Sequence, residues 1–298
     1  MDIKDYQASA SETIQFNTSS KDAIYIALLG IAGEAGELLT EYKKKIVDGD
    51  SYKIFEEKLL EELGDIIWYV STIATLENIS MQTVLDNNLR KIQERWHDAS
   101  RGLNLQLGIE PEFFDDGYEE DEKLPREFIA EFYEVNIGGK NYIEIKIDGK
   151  EFGDPIRDNA YIDDFYRFHD IFHFSYVVVL GWSPVTRKFL KCKRKSEDDT
   201  DEVQDGGRAS VIDEAISILV FEHARSHSFY EGVEVVDYNL LRTIKMLTKH
   251  LEVNKCTTRE WEKAILMGFK MWHKLKDNKG GKVICNMIEK TMIYEPLK

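Results

Sequence analysis

The sequence predicts a mainly α protein in two parts: an N-terminal all-α helical bundle, then a mostly helical C-terminal domain opened by a β-hairpin. Three observations predict this. Apolar residues recur with helical spacing through the first hundred residues, a strongly acidic stretch follows, and beyond it the turn NIGGK separates two segments with strand-like composition. The expected divisions are 1–105 for the first domain, 106–126 for an acidic linker and 127–298 for the second domain.

Four helices are expected in the first domain. The first covers roughly Ile3 to Phe16. The second begins after Ser19 and Ser20 and ends in the cationic run Lys43 to Lys45, which suits the negative end of the helix dipole, with Gly49 closing it. The third runs from about Tyr52 to Glu77, and the fourth follows Ser80, a good N-cap, to about Trp96.

The chemistry is concentrated in two of these helices. Glu34 and Glu37 in GEAGEL, and Glu62 and Asp65 in EELGD, are each spaced i, i+3, so both members of a pair project from one helix face. Two such helices laid antiparallel bring four carboxylates together, a cradle for a hard divalent cation such as Mg2+, with Mn2+ as a substitute. The acids lie among apolar residues rather than on a wholly polar face, which argues against simple solvation. Gly30, Gly33 and Gly36 recur every third residue at a cost of roughly 1 kcal/mol each relative to Ala, which implies a close approach to that backbone.

Residues 1–102 resemble the MazG-like family of all-α nucleoside triphosphate pyrophosphohydrolases. The likeness rests on DYQ at Asp5 to Gln7, LLGIAGEAGELL, ELGDIIWYVSTIA and NNLRKIQERW, with Glu-x-x-Glu and Glu-x-x-Asp supplied by Glu34, Glu37, Glu62 and Asp65. The resemblance implies Mg2+-dependent hydrolysis of ribo- or deoxynucleoside triphosphates to monophosphate and pyrophosphate, in nucleotide-pool cleansing or in stress response and defence. It places Asn88, Lys91 and Arg95, one stripe of one helix, on the substrate phosphates. Glu61 or Glu37 is the candidate base, and Trp68 and Tyr69 are candidates to stack on the nucleobase. Similar proteins are dimers or larger oligomers, so a homo-oligomer is expected, unless the C-terminal domain takes the place of a second subunit. Through LPREF at Leu124 to Phe128, FYRFHDIFHFSYVVVLGWSPVTRKFLKCKRKS and DEVQDGGRASVIDEAISILVF, most of residues 124–290 resemble the C-terminal domain that accompanies some MazG-like domains, a likeness that carries no chemistry with it.

Composition fits a cytoplasmic enzyme without a membrane segment. The chain has 298 residues, 43% hydrophobic and 32% charged, enough for a substantial core, and its longest apolar run, Tyr176 to Trp182, is too short to span a bilayer. A net charge of −16 argues against a nucleic-acid surface, whereas a free nucleotide with its cation remains a suitable ligand. Cys192, Cys256 and Cys285 are scattered and odd in number, which suggests reduced structural thiols.

In the second half, the stretch from Glu110 to Glu122 holds eight acids and no base, and reads as a solvated linker. Residues from about Tyr161 to Tyr294 read as mostly helical. His169, Asp170 and His173 place two histidines at i, i+4, a spacing able to chelate a metal, with Asp213, Glu214 and Glu222 available to complete a site. Hydrogen bonding inside a helical core explains the same residues. His223 and His227 share the spacing in a more polar setting and read as structural. The basic run KCKRKS, Lys191 to Ser196, with Arg187 and Lys188 before it, and Arg208 are candidates for phosphate contact; EDDTDE next to the run offers neutralisation instead, and Asp213 is the alternative partner of Arg208. Two other functions are therefore compatible with the sequence: a nucleotide or alarmone sensor whose C-terminal domain binds a partner, and a bifunctional protein with a second metal phosphohydrolase site.

Overall fold

The computed structural model describes residues 1–96, 104–108 and 112–297, which group into two compact units, Met1–Ile92 and Gln93–Lys298. The first unit contains α1 (Ile3–Glu12), α2 (Ala23–Asp48), α3 (Phe55–Leu76) and most of α4 (Met81–Trp96). α1 starts at a capping box, in which Asp2 accepts from the Asp5 amide and Asp5 reaches back to the Asp2 amide. It stops at Glu12, earlier than its apolar pattern suggests, because Thr13 turns its hydroxyl onto the Ala10 carbonyl. α2 ends at Gly49, whose φ of 57° is the left-handed value that favours glycine. Ser80 caps α4, its Oγ accepting from the Thr83 amide at 3.1 Å.

α2 and α3 pack along one another, and α1 packs on α3. The close approach at Gly30 is to Tyr69: a Cβ there would lie 2.2 Å from the ring. Gly33 and Gly36 face open space, which corrects the expectation that all three glycines admit a close neighbour. The buried apolar residues of this unit are few and mostly small, namely Ala10, Ala23, Ala27, Ala74 and Met81. Large apolar side chains stand outside, among them Leu29 (72% exposed), Ile46 (81%) and Leu60 (73%). The segment Ala23–Ser51 is long and apolar enough to cross a bilayer by length and composition, so the longest apolar segment is this one and not Tyr176 to Trp182.

The second unit is built on a five-stranded antiparallel sheet in the order β3-β2-β1-β4-β5, from β1 (Glu127–Ile137), β2 (Lys140–Ile147), β3 (Lys150–Glu151), β4 (Gly280–Asn286) and β5 (Thr291–Glu295). The expected hairpin is β1–β2, in register from Ala130↔Ile147 to Ile137↔Lys140. The second hairpin, β4–β5, was read as part of a helical stretch. It lies beside β1 because Gly280 and Gly281 let the chain turn out of the preceding helix; a Cβ on Gly280 would sit 2.4 Å from the Phe132 carbonyl oxygen. Phe128, Ala130, Phe132, Ile143, Ile145, Ile147, Val283 and Cys285 are buried at alternate positions.

The helices of this unit are α5 (Asp170–Leu180), α6 (Pro184–Leu190), α7 (Asp198–Val203), α8 (Gly207–Arg225), α9 (Tyr238–Leu247) and α10 (Thr258–Asn278). Every residue of α5 is buried, and α10 packs along it so closely that a Cβ on Gly268 would meet the Ser175 hydroxyl at 2.8 Å. The three cysteines are buried, and burial pushes the Cys192 thiol up to about 11.

The acidic stretch is not a solvated linker where the structure describes it; Glu110 and Pro111 lie outside the described residues. Asp115 is buried and receives Arg126 at 2.7 Å, Arg187 at 2.6 Å and the Leu124 amide at 2.8 Å. Part of the basic run is likewise taken up inside the unit. Arg194 is buried between Asp205 and Glu252, each at 2.7 Å, Arg187 is buried on Asp115, and Lys193 pairs with Asp201 at 2.6 Å. The two charge runs that seemed solvated in sequence hold each other inside the fold, as buried charges must.

Candidate active site and a histidine cluster

α2 and α3 bring the two acidic pairs together. Carboxylate oxygens of Glu34, Glu62 and Asp65 lie within 4.8 Å of one another. Glu37, one turn beyond Glu34, is exposed and adds its charge to the same group. Burial, then the charges of Asp65, Glu37 and Glu62, raises Glu34 above the usual carboxylate range. Burial, then Glu37, Glu61, Asp65 and Glu41, raises Glu62 in the same way. Among the described residues no Lys or Arg forms an ion pair with Glu34, Glu37, Glu62 or Asp65. Glu41, one turn further along α2, shows the contrast: Lys44 at 2.5 Å and the Tyr52 hydroxyl hold it below its ordinary value.

The other expected site residues divide. Glu61 pairs with Lys58 at 2.5 Å and is half-exposed. Asn88 and Lys91 are exposed on α4, while the Arg95 guanidinium lies over the Tyr238 ring at 5.1 Å in the second unit. Trp68 donates its indole N–H to Thr13 Oγ1 at 2.7 Å, and Tyr69 covers Gly30. Both rings are half-buried and make these contacts within the bundle.

In the second unit, His169, Asp170 and His173 also come together, with ligand atoms within 4.8 Å of one another. His169 Nδ1 contacts the Tyr166 carbonyl at 3.0 Å, and His173 Nδ1 contacts Asp213 Oδ1 at 2.8 Å. Glu214 joins them, 3.7 Å from His169 Nε2 and 3.4 Å from His173 Nε2. Burial disfavours a charged His173, but Asp213 and Glu214 outweigh it and hold the imidazole well above its usual value. Glu222 does not join: it is bound to Arg225 at 2.9 Å. Asp213 is taken by His173, Ser183 and the Val185 amide, so it is not the partner of the exposed Arg208. His223 and His227 stack at 4.3 Å, with His223 bound to the Tyr230 hydroxyl at 2.6 Å, a packing role.

An antiparallel helix pair carrying carboxylates on facing turns defines a class, the helical-bundle proteins with an acidic cluster between two helices. The particular family follows from comparison with known proteins. Residues 109–298 match the MazG C-terminal domain and residues 26–99 match the MazG nucleotide pyrophosphohydrolase domain, so the chain belongs to the MazG family. Gene 37 protein of Mycobacterium phage L5 is 34% identical over 101 residues, which span 32% of this chain and 89% of the phage protein. No solved structure matches the chain.

Proposed function

We propose that the N-terminal unit is a Mg2+-dependent nucleoside triphosphate pyrophosphohydrolase that cleaves between the α and β phosphates of ribo- or deoxynucleotides and serves nucleotide-pool cleansing or defence. The observation that carries this reading is the cluster of carboxylates without a cationic partner among the described residues, beside a Glu41 that has two partners. Like charges gathered in a partly buried site persist when a cation balances them, and an all-oxygen donor set suits Mg2+, with Mn2+ as substitute. Bound there, the cation supplies charge neutralisation at the phosphates and Lewis acidity toward water. Glu34, Glu62 and Asp65 would hold it. Glu37, exposed at the edge of the cluster and without an ion-pair partner, is better suited than the Lys58-bound Glu61 to take a proton from the attacking water. Asn88 and Lys91, exposed on α4, would meet the departing pyrophosphate.

Incubating the full chain with Mg2+ and each nucleoside triphosphate should yield monophosphate and pyrophosphate, and Glu37→Gln should abolish both products. Diphosphate with phosphate, or turnover that survives the substitution, would refute the reading.

The exposed apolar face of the same unit supports a homo-oligomer. With Leu29, Ile46 and Leu60 outside and mainly alanines inside, this unit completes its core against a second copy. A bilayer is a poorer match for α2, whose middle carries Glu34 and Glu37. Light scattering on the eluting protein should give at least twice the 34.6 kDa chain mass, and Leu60→Asp should shift the population to the single-chain mass. A monomeric wild type would overturn the assembly.

A further inference from the structure

We propose that His169, His173, Asp170 and Glu214 form a metal centre in the second unit that takes a divalent transition-metal ion rather than magnesium. The inference does not depend on the acidic cluster of the first unit. Both imidazoles have Nδ1 engaged, His169 on the Tyr166 carbonyl at 3.0 Å and His173 on Asp213 Oδ1 at 2.8 Å. Acceptors at both Nδ1 atoms place a proton there and leave Nε2 as the nitrogen that an ion would take in exchange for a proton, the arrangement by which proteins orient metal-ligating histidines. Asp213 is itself fixed by the Ser183 hydroxyl at 2.6 Å and the Val185 amide at 3.2 Å. Tyr166 stacks on His169 at 4.4 Å with ring planes 3° apart, which sets the plane of the second imidazole.

The Nε2 of the fully buried His173 has no hydrogen-bond partner. Glu214 Oε2 stands 3.4 Å from it and 3.7 Å from His169 Nε2, and Asp170 Oδ1 stands 3.8 Å from His169 Nε2. Ligands at ~2.1 Å from a tetrahedral ion lie ~3.4 Å apart, and these three separations exceed that spacing by at most a few tenths of an ångström. A direct hydrogen-bond network would instead be closer than this. Two imidazoles with two carboxylates select zinc, manganese or iron, whereas magnesium prefers oxygen alone. His169, Asp170 and Glu214 also line a cavity of about 390 Å³ shared with Tyr142, Arg157 and Asn159. The ion therefore faces space for a water or a small anionic ligand, as catalytic centres do and closed structural ones do not.

The test uses the full chain carrying Glu62→Gln, stripped with chelator and held in excess Mg2+ to mask the remaining acids of the first unit. Titration with Co2+ should give one ion per chain with a visible ligand-field band, and Zn2+ should displace it. His169→Gln and Glu214→Gln lie at the cavity edge and leave the buried His173 in place; each should weaken Co2+ binding at least ~10-fold while the circular-dichroism melt stays cooperative. No uptake of Co2+ or Zn2+ by the parent chain, or uptake that neither substitution weakens, would overturn the proposal. Loss of pyrophosphohydrolase activity without loss of Co2+ binding would touch only the reading of the first unit.

Discussion

Glu62→Gln is expected to lower pyrophosphate release at least ~10²-fold and, at neutral pH without metal, to raise the melting temperature. The activity falls because Glu62 is the buried member of the carboxylate group with Glu34 and Asp65. The stability rises for the same reason. Burial and four neighbouring acids lift Glu62 above its ordinary pKa, so the folded state disfavours its ionised form. The sign follows: the penalty is absent below the unfolded pKa of about 4.3 and grows as pH rises through the higher folded value. The melting-temperature gap between variant and wild type should thus shrink on acidification. Saturating Mg2+ should also narrow it, by stabilising the wild type more than the variant. Thermal melts at two pH values, with and without the ion, check this; a variant that melts lower at neutral pH would make Glu62 a structural residue.

The largest expected loss of stability belongs to Asp205→Ala, about 3–5 kcal/mol, because removing one partner strands buried charge. Asp205 accepts from Arg194 Nη2 at 2.7 Å, Arg194 Nε at 3.1 Å and the Arg194 amide at 2.8 Å, with Arg187 Nε 3.7 Å away. Both guanidiniums are almost fully buried, and Glu252 and Asp115 would remain to neutralise them only in part. Urea unfolding followed by circular dichroism measures the loss, and a loss under 1 kcal/mol would show the network to be dispensable. The same network should make the unit acid-labile. Burial alone would raise Asp115, but Arg126 and Arg187 overcome it and hold it below its ordinary value. A lowered folded pKa contributes stability above the unfolded value of about 3.9 that is lost as pH falls through the folded one, so this contribution disappears below about pH 4.

Arg187 and Arg194 also show where sequence reading stops. As text, KCKRKS and the Arg187 before it are a basic patch followed by acids, and the partners of the two arginines in space, Asp115, Asp205 and Glu252, lie 11 to 72 residues away. The last hairpin was hidden in a related way. β4 follows α10 directly, and its strand identity comes from pairing with β1, over 150 residues earlier, as in Asn286 with Glu127. Its local sign was the Gly280–Gly281 pair and the alternation of Val283 with Cys285. Glu222 failed for a simpler reason. It lies eight residues beyond Glu214 on α8, ~12 Å along the axis, too far for both to reach one ion.

What the sequence determined by itself is everything that depends on short-range geometry. The four helices of the first unit, the Ser80 cap, the Gly49 stop, the β1–β2 hairpin and the one-face spacing of each acidic pair follow from periods of 3.6 and 2 and from the backbone's need for caps. What only the tertiary structure decided is which charges meet. It gave Glu41 to Lys44 and Tyr52, gathered Glu34, Glu62 and Asp65 with no Lys or Arg paired to them among the described residues, turned Asp213 onto His173 and sent Glu222 to Arg225. The physical reason is that burial makes every charge choose a partner, and that choice depends on how helices distant in sequence pack, which no local spacing records.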